Sequence, residues 1–360
     1  MFLSAKTPLL AVDIGSNSIK VGRLMGAPGK YELSNFGVMP LESESVVDGV
    51  VQDEDHVVDA LARLIKAEGM DDSPYAVASV AGEAVMIKKI KVPMMSHEEL
   101  EEFIPQEAEQ YIPFDIDDVR IDFQVLDGTP TLEEHEFEEE EEKQEILLVA
   151  VQNEIIDSRT NVLTAAGLKP VIIDLDVFAM VNAINISRNL QDMGSVAIID
   201  LGGAFTHLNI LMDGVTSYTR DIPIGQDICT NTLMEKYELE YRESENIKVG
   251  AIPEGSEKEA IVETIIESFE PILDELHKSF EFFSTTSNSQ VEQAFLCGGG
   301  AMIPGVDGFL ADRLGIPVEI FNPLEAVRLG ARKFDAQSLN QMAPMATVAI
   351  GLATRRFDYI

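Results

Sequence analysis

The same local pattern occurs twice in this chain, around Asp13 and again around Asp200. In each copy an apolar run predicts a buried strand, the aspartate stands near its end, a glycine-containing turn follows, and alternating residues predict a second strand. The two aspartates stand 187 positions apart, about half of the 360 residues. A strand–turn–strand pattern repeated at this spacing predicts an α/β protein of two duplicated halves, each contributing one turn to a ligand between them.

The residues in and around these turns suit a phosphate-bearing ligand. Glycine and serine in Gly15–Ser18 let backbone N–H groups approach phosphate oxygens, and Lys20 can neutralise a phosphate charge. Asp13 and Asp200 are placed to hold the water shell of Mg²⁺ rather than to ligate the ion directly. The run Gly298–Gly300 allows close approach of the backbone to a flat ring or a ribose. Each motif alone is an ordinary turn, but the three in this order indicate a nucleotide.

Three segments resemble the phosphate 1, phosphate 2 and adenosine motifs of the actin/Hsp70/sugar-kinase ATPase superfamily: Asp13–Ser18, Asp200–Thr206 and Gly298–Gly305. Within the superfamily the chain resembles the PilM family of type IV pilus assembly proteins, which is related to the cell-division protein FtsA. The stretches that carry this resemblance are Glu107–Phe114, Ile121–Leu126, Asn322-Pro323 and Ala349–Arg355. The chain departs from the pattern at Gly203-Ala204-Phe205, where a small-residue turn with Ser or Thr is expected.

The resemblance implies a duplicated actin-like (RNase H-like) ATPase fold, with two halves around a nucleotide cleft and a small inserted α+β subdomain of the FtsA 1C type. The implied boundaries are 1–83 (1A), 84–167 (1C), 168–194 (return to 1A), 195–227 (2A), 228–290 (2B), 291–335 (2A) and 336–360 (return to 1A).

The resemblance also implies ATP and Mg²⁺ in that cleft. The helix Ser244–Lys248 resembles the Glu-x-x-Lys helix that clasps adenine and ribose, although Glu245 and Lys248 also fit an ordinary surface pair at i, i+3. The implied nucleotide-binding residues are Gly15, Ser16, Asn17, Ser18, Lys20, Gly202, Gly203, Thr206, Glu245, Lys248, Gly298, Gly299 and Gly300, with Asp13 and Asp200 holding the metal through water.

The function implied by the resemblance is an ATP-binding cytoplasmic scaffold of the type IV pilus inner-membrane platform, with a role in twitching motility. Its partner is the cytoplasmic N-terminal tail of a PilN-like membrane protein, bound in a groove between 1A and 1C. The alternatives are an FtsA-like cell-division filament protein and a sugar or carboxylate kinase. No catalytic base is identifiable, so the expected activity is at most a slow ATPase.

The net charge of the chain limits further the kinds of partner that it can bind. The chain holds 63 acidic and 26 basic residues, a net charge of −37, so binding to nucleic acid or to an anionic membrane surface is not expected. Twenty of the acidic residues lie between Glu98 and Glu145. The glutamate-rich tract 133–145 fits a solvated loop better than a docking edge for basic segments. With no long apolar run and no signal peptide, we expect a soluble intracellular protein, attached to the inner membrane only through partners.

Several element-level expectations can be tested. Ser96 and Glu99 predict a capping box, and Pro105 predicts a kink or restart in the helix that follows. One long amphipathic helix is predicted over 260–283, and a buried helix or strand over 343–353. Cys229 and Cys297 are predicted to be buried thiols, and the five histidines show no metal-binding spacing.

Overall fold

The computed structural model describes residues 7–72, 74–126, 143–330 and 334–357. The chain divides into two compact units. Residues 82–158 form the smaller unit, and residues 1–81 together with 159–360 form the larger one. The subdomain boundaries expected from the sequence stay a prediction.

The strands are β1 Thr7–Pro8, β2 Leu10–Ile14, β3 Ser18–Met25, β4 Glu32–Pro40, β5 Val46–Val47, β6 Val50–Val51, β7 Tyr75–Val80, β8 Val85–Pro93, β9 Val119–Val125, β10 Lys143–Gln152, β11 Lys169–Leu175, β12 Ser195–Leu201, β13 Thr206–Met212, β14 Val215–Ile222, β15 Gln293–Cys297, β16 Val318–Ile320, β17 Arg328–Leu329 and β18 Arg356–Phe357. The helices are α1 Glu54–Glu68, α2 His97–Ala108, α3 Asn153–Ala165, α4 Asp176–Ile184, α5 Asp227–Tyr237, α6 Tyr241–Lys248, α7 Lys258–Glu267, α8 Glu270–Ser287, α9 Val306–Leu314, α10 Ala336–Met342 and α11 Thr347–Leu352.

The larger unit contains two sheets with the same local topology, which confirms the predicted duplication and fits the predicted actin-like fold class. The first has the order β11-β7-β2-β3-β4-β17 and the second the order β14-β13-β12-β15-β16. In each, one central strand pairs antiparallel with the next strand of its hairpin and parallel with a later strand. Both central strands, β2 and β12, are buried along their whole length. This explains their nearly continuous apolar sequences, because a strand covered on both faces has no side exposed to water.

In the smaller unit, α2 packs on an antiparallel sheet of order β8-β10-β9. The helix begins with the predicted capping box between Ser96 and Glu99. It continues through Pro105 to Ala108, so no restart occurs there. Leu100, Ile104 and Ala108 share a core with the middle of β10, which holds the helix together around the proline. Residues 133–142 of the glutamate-rich tract lie outside the described residues.

One predicted helix is wrong. The amphipathic pattern over 260–283 is divided between α7 and α8, with a break at Ser268 and Phe269. Pro271 explains the break, because it has no N–H to donate to the carbonyl of Glu267, whereas it is well tolerated in a first helical turn. The buried ring of Phe269 anchors the break in the core of the second half.

The segment 343–353 is a buried helical element, one of the two forms predicted for it: a 3₁₀ turn over Ala343–Ala346 leads into α11. Helix α11 lies against α4 with backbone in contact, and a Cβ atom added at Gly351 would lie 1.8 Å from the carbonyl oxygen of Ala179. Cys229 and Cys297 are buried free thiols, as predicted.

We expect Gly351→Ala to lower the free energy of unfolding by about 1–3 kcal/mol or more, because the two helices must separate to admit the methyl group. Urea denaturation of purified variants measures this. The matched control is Gly308→Ala in α9, where an added Cβ meets no atom within 4 Å and should stabilise by about 0.5–1 kcal/mol. Equal behaviour of the two variants would contradict the packing argument.

Candidate functional site

The first turn, Gly15–Ser18, closes the β2–β3 hairpin through a hydrogen bond from the Gly15 amide to the Ser18 carbonyl of 3.1 Å. Asp13 is the second-last residue of β2, and the strand register places Lys20 opposite it. The Lys20 Nζ atom lies 3.4 Å from Asp13 Oδ2. A Cβ at position 15 would lie only 3.2 Å from the same Nζ atom, so Gly15 gives the lysine room beside the turn.

The second turn repeats this arrangement. Asp200 is the second-last residue of β12, and the register places His207 opposite it on β13. The amides of Gln226 and Asp227 donate to the carbonyls of Gly202 and Gly203, at 2.9 and 3.0 Å, which ties the turn to the start of α5. Thr206 is fully buried, and its hydroxyl donates to the Ile224 carbonyl at 2.7 Å.

The structure brings the two turns together. The Asn17 side-chain amide in the first turn donates to Asp227 Oδ1 at 2.7 Å, linking the first half to the second. A Cβ at position 203 would lie 2.7 Å from Asn17 Nδ2, so only glycine allows the turns to approach this closely. The predicted residues Asn17 and Gly203 are therefore direct neighbours.

The glycine run lies against the second turn because β15 runs parallel to β12 and pairs Cys297 with Asp200. Gly298 has a φ of 84°, and a Cβ there would lie 2.0 Å from Asp200 Oδ1. A Cβ at Gly299 would lie 2.6 Å from the side-chain amide of Gln226. The backbone at 298–300 thus passes directly over the aspartate and the second turn.

Glu245 and Lys248 are not an ordinary surface pair. The Lys248 side chain is 1% exposed, forms an ion pair with Glu245 and donates to Thr230 Oγ1 at 2.7 Å, while Thr230 donates to Glu245 at 2.5 Å. A cavity of about 160 Å³ joins this helix to the segment after the glycine run. Its lining residues are Ile247, Lys248, Gly250, Ile252, Lys258, Val262, Ile265, Ile303 and Pro304.

The carboxylates of the site are held at an electrostatic cost. Burial raises the pKa of Asp13 even though Lys20 lowers it. Burial raises the pKa of Asp200 to about 6, against the attraction of His207, and the charges of Asp176 and Asp13 add to the rise. Although burial opposes the charged form, the hydrogen bond and charge of Asp221 raise the pKa of His207 to about 9. His207 is therefore protonated at neutral pH and is the counterpart of Lys20.

Sequence reasoning missed several residues of this region: Asp176, His207, Asp221, Asp227 and Arg159. His207 could have been found from its position in the second hairpin, since an antiparallel register places it opposite Asp200. Asp176 begins α4 directly after β11, a parallel strand end where ligand-binding side chains often collect. The sequence around Arg159 and Asp227 carries no comparable signal. No group of three or more His, Cys, Asp or Glu side chains that could hold a metal ion is present among the residues that the structure describes.

Comparison with known proteins identifies the family. The model of the type IV pilus assembly protein PilM family matches residues 11–357. The chain belongs to the PilM family. A solved PilM-PilN type IV pilus biogenesis complex matches this PilM-family chain at 27% identity with a TM-score of 0.82, covering 97% of this chain and 98% of the other.

Two further relatives are more distant. The cell division protein FtsA of Borreliella burgdorferi is 26% identical over 195 residues, which are 48% of this chain and 45% of that protein. The chain thus spans less than half the length of this curated relative. The ethanolamine utilization protein EutJ of Carboxydothermus hydrogenoformans matches at 15% identity and a TM-score of 0.57 over 98% of this chain and 93% of its own, which shows the shared fold alone. Within the described residues, no helix combines the length and apolarity needed to cross a membrane.

We expect Asp200→Asn to raise the free energy of unfolding at pH 7.5 by about 1–2 kcal/mol, because a carboxyl whose pKa is raised by folding destabilises the fold once ionised. The gain should shrink as the pH falls from about 6 towards the unfolded value of 3.8 and should vanish below it, where both states are protonated. Urea denaturation across this range measures it, with Asp312→Asn on the exposed face of α9 as control. A pH-independent loss of stability would show that the charge is satisfied where it stands.

Proposed function

We propose that this PilM-family chain is an ATP-binding cytoplasmic scaffold of type IV pilus assembly. The observation that carries the proposal is the meeting of two glycine turns, each beside a buried aspartate with a cation opposite, under a third glycine segment. Side-chain-free backbone and nearby cations are what a polyphosphate requires. The cavity beside Lys248 offers an apolar wall to a base, next to the same glycine segment.

In this proposal each group has a defined task. Backbone amides of Ser16–Ser18, together with Lys20, bind phosphate oxygens from the first half, and Gly202 and Gly203 do so from the second. Gly15, whose amide already donates to the Ser18 carbonyl, leaves room for Lys20 beside the turn. Glu245 and Lys248 border the nucleoside end. Thr206 supports the second turn through its bond to Ile224 rather than by direct contact, since its hydroxyl proton is already donated.

Mg²⁺ fits the chemistry of Asp13 and Asp200. Both are buried carboxylates, and carboxylate and water oxygens are the ligands that Mg²⁺ prefers. The ion would supply positive charge that joins the phosphates to these two aspartates through water. The raised pKa values of both carboxyls describe negative charge that a cation would stabilise.

The nucleotide would set the relative position of the two halves rather than serve bulk catalysis. Asn17 already links the first turn to Asp227 at 2.7 Å, so phosphates entering between the turns must exchange with this contact. A ligand that prefers one arrangement of the halves shifts the population toward it. Hydrolysis, if present, is slow in this proposal.

The partner is a PilN-like protein, for which the similarity to the solved PilM-PilN complex is the support. Binding to the cytoplasmic N-terminal tail of such a membrane protein would place this chain at the inner membrane and give it a role in twitching motility. The 1A/1C groove stays a prediction. The family match over residues 11–357 favours pilus assembly over an FtsA-like role, since the FtsA match covers only 48% of the chain.

We expect millimolar ATP with Mg²⁺ to raise the melting temperature of the purified chain, because a ligand bound only to the folded state stabilises it by RT ln(1 + [L]/Kd). Asp13→Ala should abolish most of the shift, whereas Asp312→Ala should keep it. A wild-type protein that melts at the same temperature with and without nucleotide would overturn the ATP assignment.

We expect a synthetic peptide of a PilN-like N-terminal tail to bind the full chain saturably in fluorescence anisotropy, whereas a scrambled peptide of equal charge should not bind. Nucleotide and peptide are titrated separately, so each half of the proposal can fail alone. Equal binding of the scrambled peptide would reduce the interaction to nonspecific attraction by an acidic protein.

A further inference from the structure

Arg159 in α3 is a buried cation whose hydrogen bonds are incomplete. Its side chain is 4% exposed, and Nη2 donates to the carbonyl of Ile14 at 3.1 Å. Its Nε and Nη1 atoms have no hydrogen-bond partner in the described part of the chain. A guanidinium group can donate five hydrogen bonds, and each buried donor left unpaired lowers the stability of the fold. An arginine kept in this state needs a reason.

The position of the hydrogen bond from Arg159 to Ile14 suggests the reason. Ile14 is the last residue of β2 and directly precedes Gly15, so the guanidinium group holds the strand at the point where the first turn begins. The preceding residue is Asp13, which is paired with Lys20 across the hairpin at 3.4 Å. Arg159 is thus a second cation near the Asp13 carboxylate, on a different element from the first.

The electrostatic effects on the pKa values of Arg159 and Asp13 agree with the position of Arg159 near the first turn. Burial lowers the pKa of Arg159, while the carboxylates of Asp176 and Asp13 raise it. Arg159 in turn lowers the pKa of Asp13, although less than Lys20 does. Arg159 therefore lies in the field of two carboxylates, and within the described residues its Nε and Nη1 donors bond to neither.

We propose that Arg159 is a positioning residue that takes over the Asp13 carboxylate when Lys20 turns to a nucleotide phosphate. The inference rests on the proposed function, since it requires phosphate at the first turn. Without such a partner, Asp13 would lose the cation that contacts it directly, because the proposed Mg²⁺ is held only through water. Either of the idle donors of Arg159, Nε or Nη1, can donate to this carboxylate while Nη2 keeps its hydrogen bond to Ile14. The exchange keeps every charge paired at each stage.

The test is a double-mutant cycle on nucleotide affinity, read by titration of a fluorescent ATP analogue with Mg²⁺ into the full chain. Arg159→Met should weaken binding about tenfold or more, whereas Arg159→Lys, which keeps the charge, should recover most of it. Asp13→Asn weakens binding by itself, so the variants in that background are titrated at higher concentrations. There the same Arg159→Met change should cost a further factor of less than about two, because the carboxylate to be held is gone. Arg23→Met is the matched control, since Arg23 is also largely buried and donates to a backbone carbonyl, that of Met70, but pairs with Asp72.

The outcomes separate this inference from the proposed function. A wild-type chain that binds no nucleotide overturns the function itself. A wild-type chain that binds, with Arg159→Met unchanged or equally impaired in both backgrounds, overturns only the role of Arg159. Arg159→Gln, which can still donate to Ile14 but is uncharged, serves as the second variant. If both uncharged variants lose the fold without nucleotide, as judged by melting, the residue is structural and the inference is wrong.

Discussion

Each half of this protein buries a carboxylate at the second-last position of its central strand, and the surroundings of the site follow from that choice. An ionised carboxylate removed from water costs several kcal/mol unless a cation or hydrogen-bond donors accompany it. The hairpin supplies the cation in both halves: Lys20 stands opposite Asp13, and His207, protonated through Asp221, stands opposite Asp200. The duplication therefore preserves an electrostatic arrangement and not only a strand order.

Glycine is needed where backbone must lie against these groups. At Gly203 and Gly298 an added Cβ would overlap Asn17 and Asp200 respectively, so neither position tolerates a side chain while the turns stay closed. The result is a surface made largely of main chain, which presents fixed dipoles to a ligand and gives up the packing that side chains would provide. The raised pKa values of Asp13 and Asp200 and the unpaired donors of Arg159 are further costs to folding stability at these turns, because each leaves a buried polar group poorly compensated.

The sequence predicted the hairpins, the glycine run and the capping box correctly because each depends on residues close together along the chain. It failed where distant residues decide the outcome. The apolar stripe over 260–283 continues through the break before Pro271, so its periodicity predicted one helix where the chain forms α7 and α8. The residues around Lys248 left a surface ion pair open as an alternative, and only Thr230, eighteen positions earlier, shows that Lys248 belongs to a buried network. Asp176 and Arg159 lie on α4 and α3, and nothing in their neighbouring residues points to β2.

The local pattern of apolar runs, turns and glycines is enough to establish two equivalent halves, the hairpin that opens each half and the resemblance to actin-like ATPases, because a hairpin is formed by residues close together along the chain. Which charges meet is decided only by the folded chain. Pairing of β15 with β12 places Gly298 against Asp200. The two turns lie close enough for Asn17 to bind Asp227, and the packing of α3 places Arg159 within hydrogen-bond distance of Ile14. Coulomb and desolvation energies depend on distances through space, and these are absent from the order of residues along the chain.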